Sequence, residues 1–140
     1  MNETERKEIK EAISAANNAL YHLESAREYL KSAGHWGVWD VLGGGLISTF
    51  AKHSKMDNAQ AELENAKLAL RSFSKELRDV GQYVAIDVSG FLTFADFFWD
   101  GLVADIMVQS KINDAKRECD EAISKVTRIR SELEAKLAGA

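Results

Sequence analysis

Apolar side chains recur at helical spacing over three long segments of the chain. They stand three, four or seven residues apart over 9–30, and they alternate strictly between four and three over 59–77 and 115–133. Such a stripe predicts a helix that buries one face along its whole length. No proline interrupts any of the segments. We therefore predict long helices over about 3–33, 45–79 and 101–138.

A fourth and shorter element lies between the second and third long helices. The residues "SGFLTFADFFW" place a serine before an aromatic run and predict a short helix. The segment Tyr83 to Val88 is rich in β-branched residues, so an extended connection is predicted over 81–88. At the end of the first helix, Gly34 is a predicted C-terminal stop, because glycine adopts the left-handed conformation found at many helix ends.

The chain also contains an internal repeat with an offset of 56 residues. Gly45–Leu77 and Gly101–Leu133 share nine identities in 33 aligned positions, including Gly-Leu and Ser-Lys pairs outside the heptad seam. A Trp-Asp pair precedes each copy, Trp39-Asp40 in one and Trp99-Asp100 in the other. The repeat predicts two duplicated helical hairpins, with halves of about 1–79 and 80–140.

These elements together predict an all-α fold in a single domain over 1–140. We expect an up-down bundle of three long helices and one short helix with a coiled-coil-like seam. Since the short helix spans only a fraction of the long ones, we expect four helices side by side at the Trp-Asp end, where both Trp-Asp pairs lie. The extended segment is expected beside three helices at the other end.

Composition and charge remove several classes of function. Apolar residues make up 46% of the chain and the net charge is −4, with basic and acidic residues mixed throughout. A nucleic-acid partner is not expected, because the mixture leaves no continuous basic surface. No apolar run is long enough to cross a membrane, and acidic residues near the aromatic end disfavour binding to anionic lipids. The charged N-terminal pattern and a lone Cys119 predict a cytoplasmic protein.

The connection "HWGVWDVLGGGLISTF" is the one place where glycines could expose backbone N–H groups at a helix start. Such groups can bind an anion, so a candidate ligand site is predicted there. The alternative is a closely packed turn that binds nothing, since the phosphate-loop lysine and hydroxyl are absent. The candidate ligand-binding residues are Gly43, Gly44, Gly45, His35 and Lys52.

Other candidate chemistry is weak. His53 and Asp57 share one helix face, but the repeat supplies Gln109 and Asn113 at the matching positions, so no metal site is predicted. Cys119 falls on the apolar seam and is expected to act as a buried side chain rather than a nucleophile. Asp100 is predicted to cap a helix that begins at the next residue. We expect no cofactor and no enzymatic activity.

The pattern therefore predicts a non-enzymatic helical interaction or scaffold module. The first turns of the second and last long helices carry apolar residues on more than one side, and aromatic residues collect at the same end. Either other helices of the chain cover these groups, or they bind a second copy or a partner protein. The candidate interface residues are Trp36, Phe50, Phe94 and Phe98. The alternative function is a small-ligand or anion-binding bundle that uses the glycine-rich connection.

Overall fold

The computed structural model describes the backbone of residues 2–41, 46–101 and 109–139, and the side chains of 2–32, 58–96 and 113–139. Four helices and no strands occur in these residues, which confirms the all-α bundle. The helices are α1 (Glu3–Val41), α2 (Leu46–Val80), α3 (Ser89–Gly101) and α4 (Gln109–Ala138). Asn2 caps α1, because its side-chain Oδ1 accepts a hydrogen bond from the Glu5 N–H at 2.9 Å.

Helix α1 is antiparallel to both α2 and α4, and side-chain pairs set its register against α4. Arg27 is paired with Asp120, and Arg130 donates to Asn17 over 3.0 Å. Asn17 and Arg27 are ten positions apart on α1, and their partners on α4 are also ten positions apart but follow in the opposite order along the chain. Helix α1 packs closely against α2 and α4, and α3 packs against the same two helices. The four helices thus surround one core, with α1 and α3 on opposite sides of it.

The core consists mainly of leucine and alanine at heptad spacing. Every seam position predicted on α2 and α4 is buried. On α1 the buried face is wider than predicted, because Ala12, Ala19 and Ala26 are also inaccessible to solvent. Small side chains let helix backbones approach each other. A helix packed between two neighbours needs two such stripes, which explains the extra alanines.

The return segment from α2 to α3 is a turn followed by a short extended stretch. The backbone N–H groups of Tyr83 and Val84 both donate to the Val80 carbonyl, at 2.9 and 3.0 Å. Only residues 85–88 are extended, so the predicted extended segment over 81–88 is wrong for its first half. Val84, Ile86 and Val88 pack against the core, as the two-residue period of an extended chain allows.

The turn stays close to the last residues of α2, so α3 begins near the end of the bundle where α2 terminates. Phe91 of α3 is buried and meets Phe73 edge to face, with ring centroids 5.3 Å apart. The fourth helix therefore begins in the half of the bundle opposite the Trp-Asp end, and only its last turn carries Trp99 and Asp100. The prediction that placed it only at the Trp-Asp end is wrong on this point.

Two predicted helix boundaries are also wrong. Gly34 does not stop α1, which continues to Val41; a glycine inside a helix costs only about 1 kcal/mol relative to alanine, and a long helix tolerates that cost. Asp100 lies in the last turn of α3 and has a helical backbone, whereas an N-cap residue is non-helical. Both Trp-Asp pairs thus end the incoming helix instead of starting the next one.

The duplicated hairpins remain a prediction, and the register of the helices bears on it. His22 pairs with Glu62 of α2, and the α4 pairs of Asn17 and Arg27 place Lys125 at about the same level. The sequence repeat instead matches Glu62 with Glu118. The two repeats are therefore about one heptad, or about 10 Å, out of step along the bundle.

One buried polar group makes a testable exception to the apolar core. Ser74 of α2 is 1% exposed, and its hydroxyl has no hydrogen-bond partner among the residues that the structure describes. Burying an unsatisfied hydroxyl is unfavourable, so Ser74→Ala is expected to raise the free energy of unfolding by about 1 kcal/mol. Urea denaturation measures the change.

The matched control is Ser72→Ala on the same helix, where the serine is exposed. That variant gains only the helix propensity of alanine, about 0.5 kcal/mol or less. If Ser74→Ala were no more stable than Ser72→Ala, the buried hydroxyl would not be unfavourable.

Candidate functional site

The predicted ligand site lies mostly outside the described residues. This is true of the backbone of Gly43, Gly44 and Gly45, and of the side chains of His35 and Lys52, whose backbones belong to α1 and α2. The same holds for the side chains of Trp36, Phe50 and Phe98, and of the His53 and Asp57 pair. The ligand-binding and interface predictions at these positions stay predictions.

Phe94 is the one predicted interface residue whose side chain is described. It is half-buried against the core, and Lys125 Nζ of α4 lies 5.3 Å from its ring centroid. A cation over an aromatic face is attracted by the ring quadrupole. Phe94 therefore takes part in the α3–α4 contact and is partly accessible to solvent.

A histidine–carboxylate pair joins α1 to α2 at mid-height. His22 Nδ1 lies 2.9 Å from Glu62 Oε2, and both side chains are about one-fifth exposed. Asn65 donates a longer hydrogen bond to the other Glu62 oxygen, at 3.4 Å. No local sequence pattern reveals this pair, because its two residues are 40 positions apart and meet only through the register of α1 against α2.

Four carboxylates lie at the end of the bundle where α2 terminates. Oxygens of Glu8, Glu76 and Asp79 lie within 4.8 Å of one another, and Glu11 is close enough to act on Glu76 electrostatically. Burial, and then repulsion from Glu11, Asp79 and Glu8, raise the pKa of Glu76. Three carboxylates alone are a poor calcium site, since calcium takes about six to eight oxygen ligands.

The raised pKa of Glu76 implies a stability that depends on pH. The folded state binds the Glu76 proton more tightly than the unfolded chain, in which the pKa of this carboxyl group has its ordinary value of 4.5. The charged form therefore destabilises the fold above the raised pKa, and that cost disappears as the pH falls below 4.5. Glu76→Gln is expected to stabilise the protein by about 0.5 kcal/mol at neutral pH and by nothing at low pH.

Thermal melts of the variant and the native protein across this pH range test the expectation. Glu64→Gln on the exposed side of α2 is the control, and it should change the melting temperature little at any pH. A gain for Glu76→Gln that persisted at low pH would contradict the electrostatic explanation.

Cys119 is the only cysteine, and the structure buries it completely within the core. Burial is the main cause that raises the pKa of its thiol to about 12, and the adjacent Asp120 adds to it. Because thiolate is the reactive form of cysteine, this side chain is expected to react slowly at neutral pH while the protein is folded. The predicted role of Cys119 as a buried apolar residue agrees with these features.

Ion pairs are concentrated on α4 and its contact with α1. Arg117, Lys125, Arg128 and Arg130 each pair with an acid three or four residues away on the same helix. The Arg27–Asp120 pair crosses to α1, and Asp120 raises the pKa of the Arg27 guanidinium through a hydrogen bond and its charge. Exposed pairs of this kind add little stability. They line the side of α4 that faces water, opposite its buried seam.

The comparisons with known proteins add no functional information. None of the described helices is sufficiently long and apolar to span a membrane. The chain matches no protein-family model, and neither the curated proteins nor the solved structures gave a match.

Proposed function

We propose that the protein is a non-enzymatic helical interaction or scaffold module, which binds a second copy or a partner protein through its Trp-Asp end. The observation that supports the proposal is the apolar surface of α3, the helix whose last turn carries the second Trp-Asp pair. Phe91 and Ala95 are buried, while Leu92 and Phe94 are only half-buried. At 100° per residue, Leu92 and Phe94 lie on opposite flanks of Phe91. The apolar face of α3 is thus broad, and its two flanks are partly accessible to solvent while they pack against the core.

The frame that carries α3 suits such a role. Helices α1, α2 and α4 have 39, 35 and 30 residues, so each is at least about 45 Å long. Over the described side chains their seams are buried within the chain, so these parts of the helices do not require a partner to cover them. A long frame with apolar groups at one end is typical of a module that positions a binding surface.

Sedimentation velocity from micromolar to millimolar concentration tests the proposal. We expect association that weakens in Phe50→Glu and Phe98→Glu, which place a charge at the Trp-Asp end. Thr93→Glu is the matched control, because Thr93 is an exposed residue of the same helix α3. Equal association of all three variants and the native chain would contradict a role for this end. A strict monomer would leave only the form of the proposal in which a different protein binds.

A further inference from the structure

The outer face of the α1–α2 hairpin is uncharged over its middle third. At 100° per residue, one row of α1 and one row of α2 lie on this face, away from the core and from α4. Seven of the eight residues are exposed and Ser25 is half-buried. We call them the uncharged face: Ser14, Asn18, Tyr21 and Ser25 of α1, and Ala61, Asn65, Leu68 and Ser72 of α2.

The uncharged face differs from the rest of the surface. No Asp, Glu, Lys or Arg occurs between residues 12 and 23, whereas α4 carries a dense pattern of ion pairs. Of the ionisable groups beside the face, His22 and Glu62 are paired with each other at 2.9 Å, and Glu24, Glu64 and Arg71 border it three or four residues from Tyr21 and Leu68. Tyr21 and Leu68 project from it, at 67% and 55% exposed. Interfaces between proteins are enriched in tyrosine and depleted in lysine and glutamate.

The two rows of the face follow the same pattern. Each reads small residue, asparagine, large residue, small residue, at intervals of four, three and four. When a row is placed against a second copy of itself that runs in the opposite direction, the spacing of the two rows still matches. Small residues then lie opposite small residues, and each large residue lies opposite an asparagine. A surface with this property is complementary to a reversed copy of itself, as a two-fold interface requires.

We propose that the uncharged face binds a second copy of this chain in an antiparallel, two-fold arrangement. Tyr21 of one copy then packs on Asn18 of the other, and Leu68 packs on Asn65. Asparagine and serine both donate and accept hydrogen bonds, so identical rows can satisfy each other.

The charge at one end of the hairpin fixes the orientation. Glu8, Glu76 and Asp79 form a carboxylate cluster there. Parallel stacking of two copies would bring both clusters together, and like charges repel. Antiparallel stacking moves them to opposite ends of the dimer. This inference deepens the proposed function, since it names a second copy as the partner and adds a surface separate from the Trp-Asp end.

Light scattering of the full chain tests the interface. The mass is expected to rise from 15.5 kDa towards twice that value with concentration. Tyr21→Lys with Leu68→Lys should raise the dimer dissociation constant by about tenfold or more, because lysine must lose its water at the interface. Ser124→Lys with Ala135→Lys is the control, with the same added charge on exposed positions of α4, and it should dimerise like the native chain.

A pair of new cysteines tests the orientation. In the antiparallel dimer, residue 14 of one copy lies opposite residue 25 of the other, so Ser14→Cys with Ser25→Cys should form a disulfide-linked dimer on oxidation. Ser14→Cys alone should not, and Cys119 is buried and will not interfere. Efficient cross-linking by the single variant would overturn the antiparallel arrangement.

The outcomes separate this inference from the proposed function. Association lost in the Phe50 and Phe98 variants but unchanged in the Tyr21 and Leu68 variant would overturn the inference and support the Trp-Asp end. The reverse result would support the uncharged face and contradict the Trp-Asp end as the self-association surface. A native chain that stays monomeric to millimolar concentration would overturn the inference, while binding of a different protein would still be open to test.

Discussion

Phe73→Ala is expected to lower the free energy of unfolding by about 3–5 kcal/mol, a large part of the stability of an ordinary domain. Phe73 is completely buried, and its ring meets Phe91 of α3 edge to face at 5.3 Å. Truncation leaves a cavity that rigid helix backbones cannot close. Because Phe73 joins α3 to the bundle, loss of its ring should also loosen α3. Urea denaturation followed by circular dichroism measures the loss.

Two further variants show whether the loss comes from the ring contact. Leu68→Ala removes an exposed side chain from the same helix and should change the free energy of unfolding by about 0.5 kcal/mol or less. A double-mutant cycle with Phe91→Ala should give a coupling of about 0.5–1.5 kcal/mol for an aromatic pair. Zero coupling would mean that α3 is held by other contacts.

The residues that were predicted correctly from the sequence are those whose burial follows from local spacing. The heptad positions of α2 and α4 are buried because a helix packed on one side exposes the other side to water. The short helix was also predicted close to its observed bounds, since its aromatic residues do not alternate with polar residues as those of a strand would. On α1 the same reasoning missed Ala12, Ala19 and Ala26, because they lie beside the predicted stripe, on its flank towards α2.

The features that the sequence did not reveal depend on contacts between distant residues. The His22–Glu62 pair and the cluster around Glu76 require the register of α1 against α2, which no local pattern contains. Gly34 was read as a stop because glycine often ends helices, yet the helix passes through it. The prediction that Asp100 caps a helix failed as well. Aspartate is common at helix starts, but here it lies in the last turn of α3. Local signals were correct where they agreed with packing along the whole helix.

The chemistry of Cys119 gives a second large effect. Its thiol is buried and its pKa is raised to about 12, so at pH near 8 the thiolate fraction is lower by about a thousandfold than for a free cysteine of pKa about 8.5. The aromatic disulfide reagent used for thiol titration should therefore react with the folded protein at least about a thousandfold more slowly than with the protein in urea.

Reaction of the folded protein then has to pass through an opened state, and its rate reports the population of that state. This links Cys119 to Phe73. If opening is global, a loss of about 4 kcal/mol in Phe73→Ala should accelerate labelling by nearly a thousandfold, since about 1.4 kcal/mol corresponds to a factor of ten. Leu68→Ala should leave the rate almost unchanged. Fast labelling of the native chain with a midpoint near pH 8.5 would show an accessible thiol of ordinary pKa. A rate unaffected by Phe73→Ala would instead mean that the α4 seam opens independently of the α2–α3 contact.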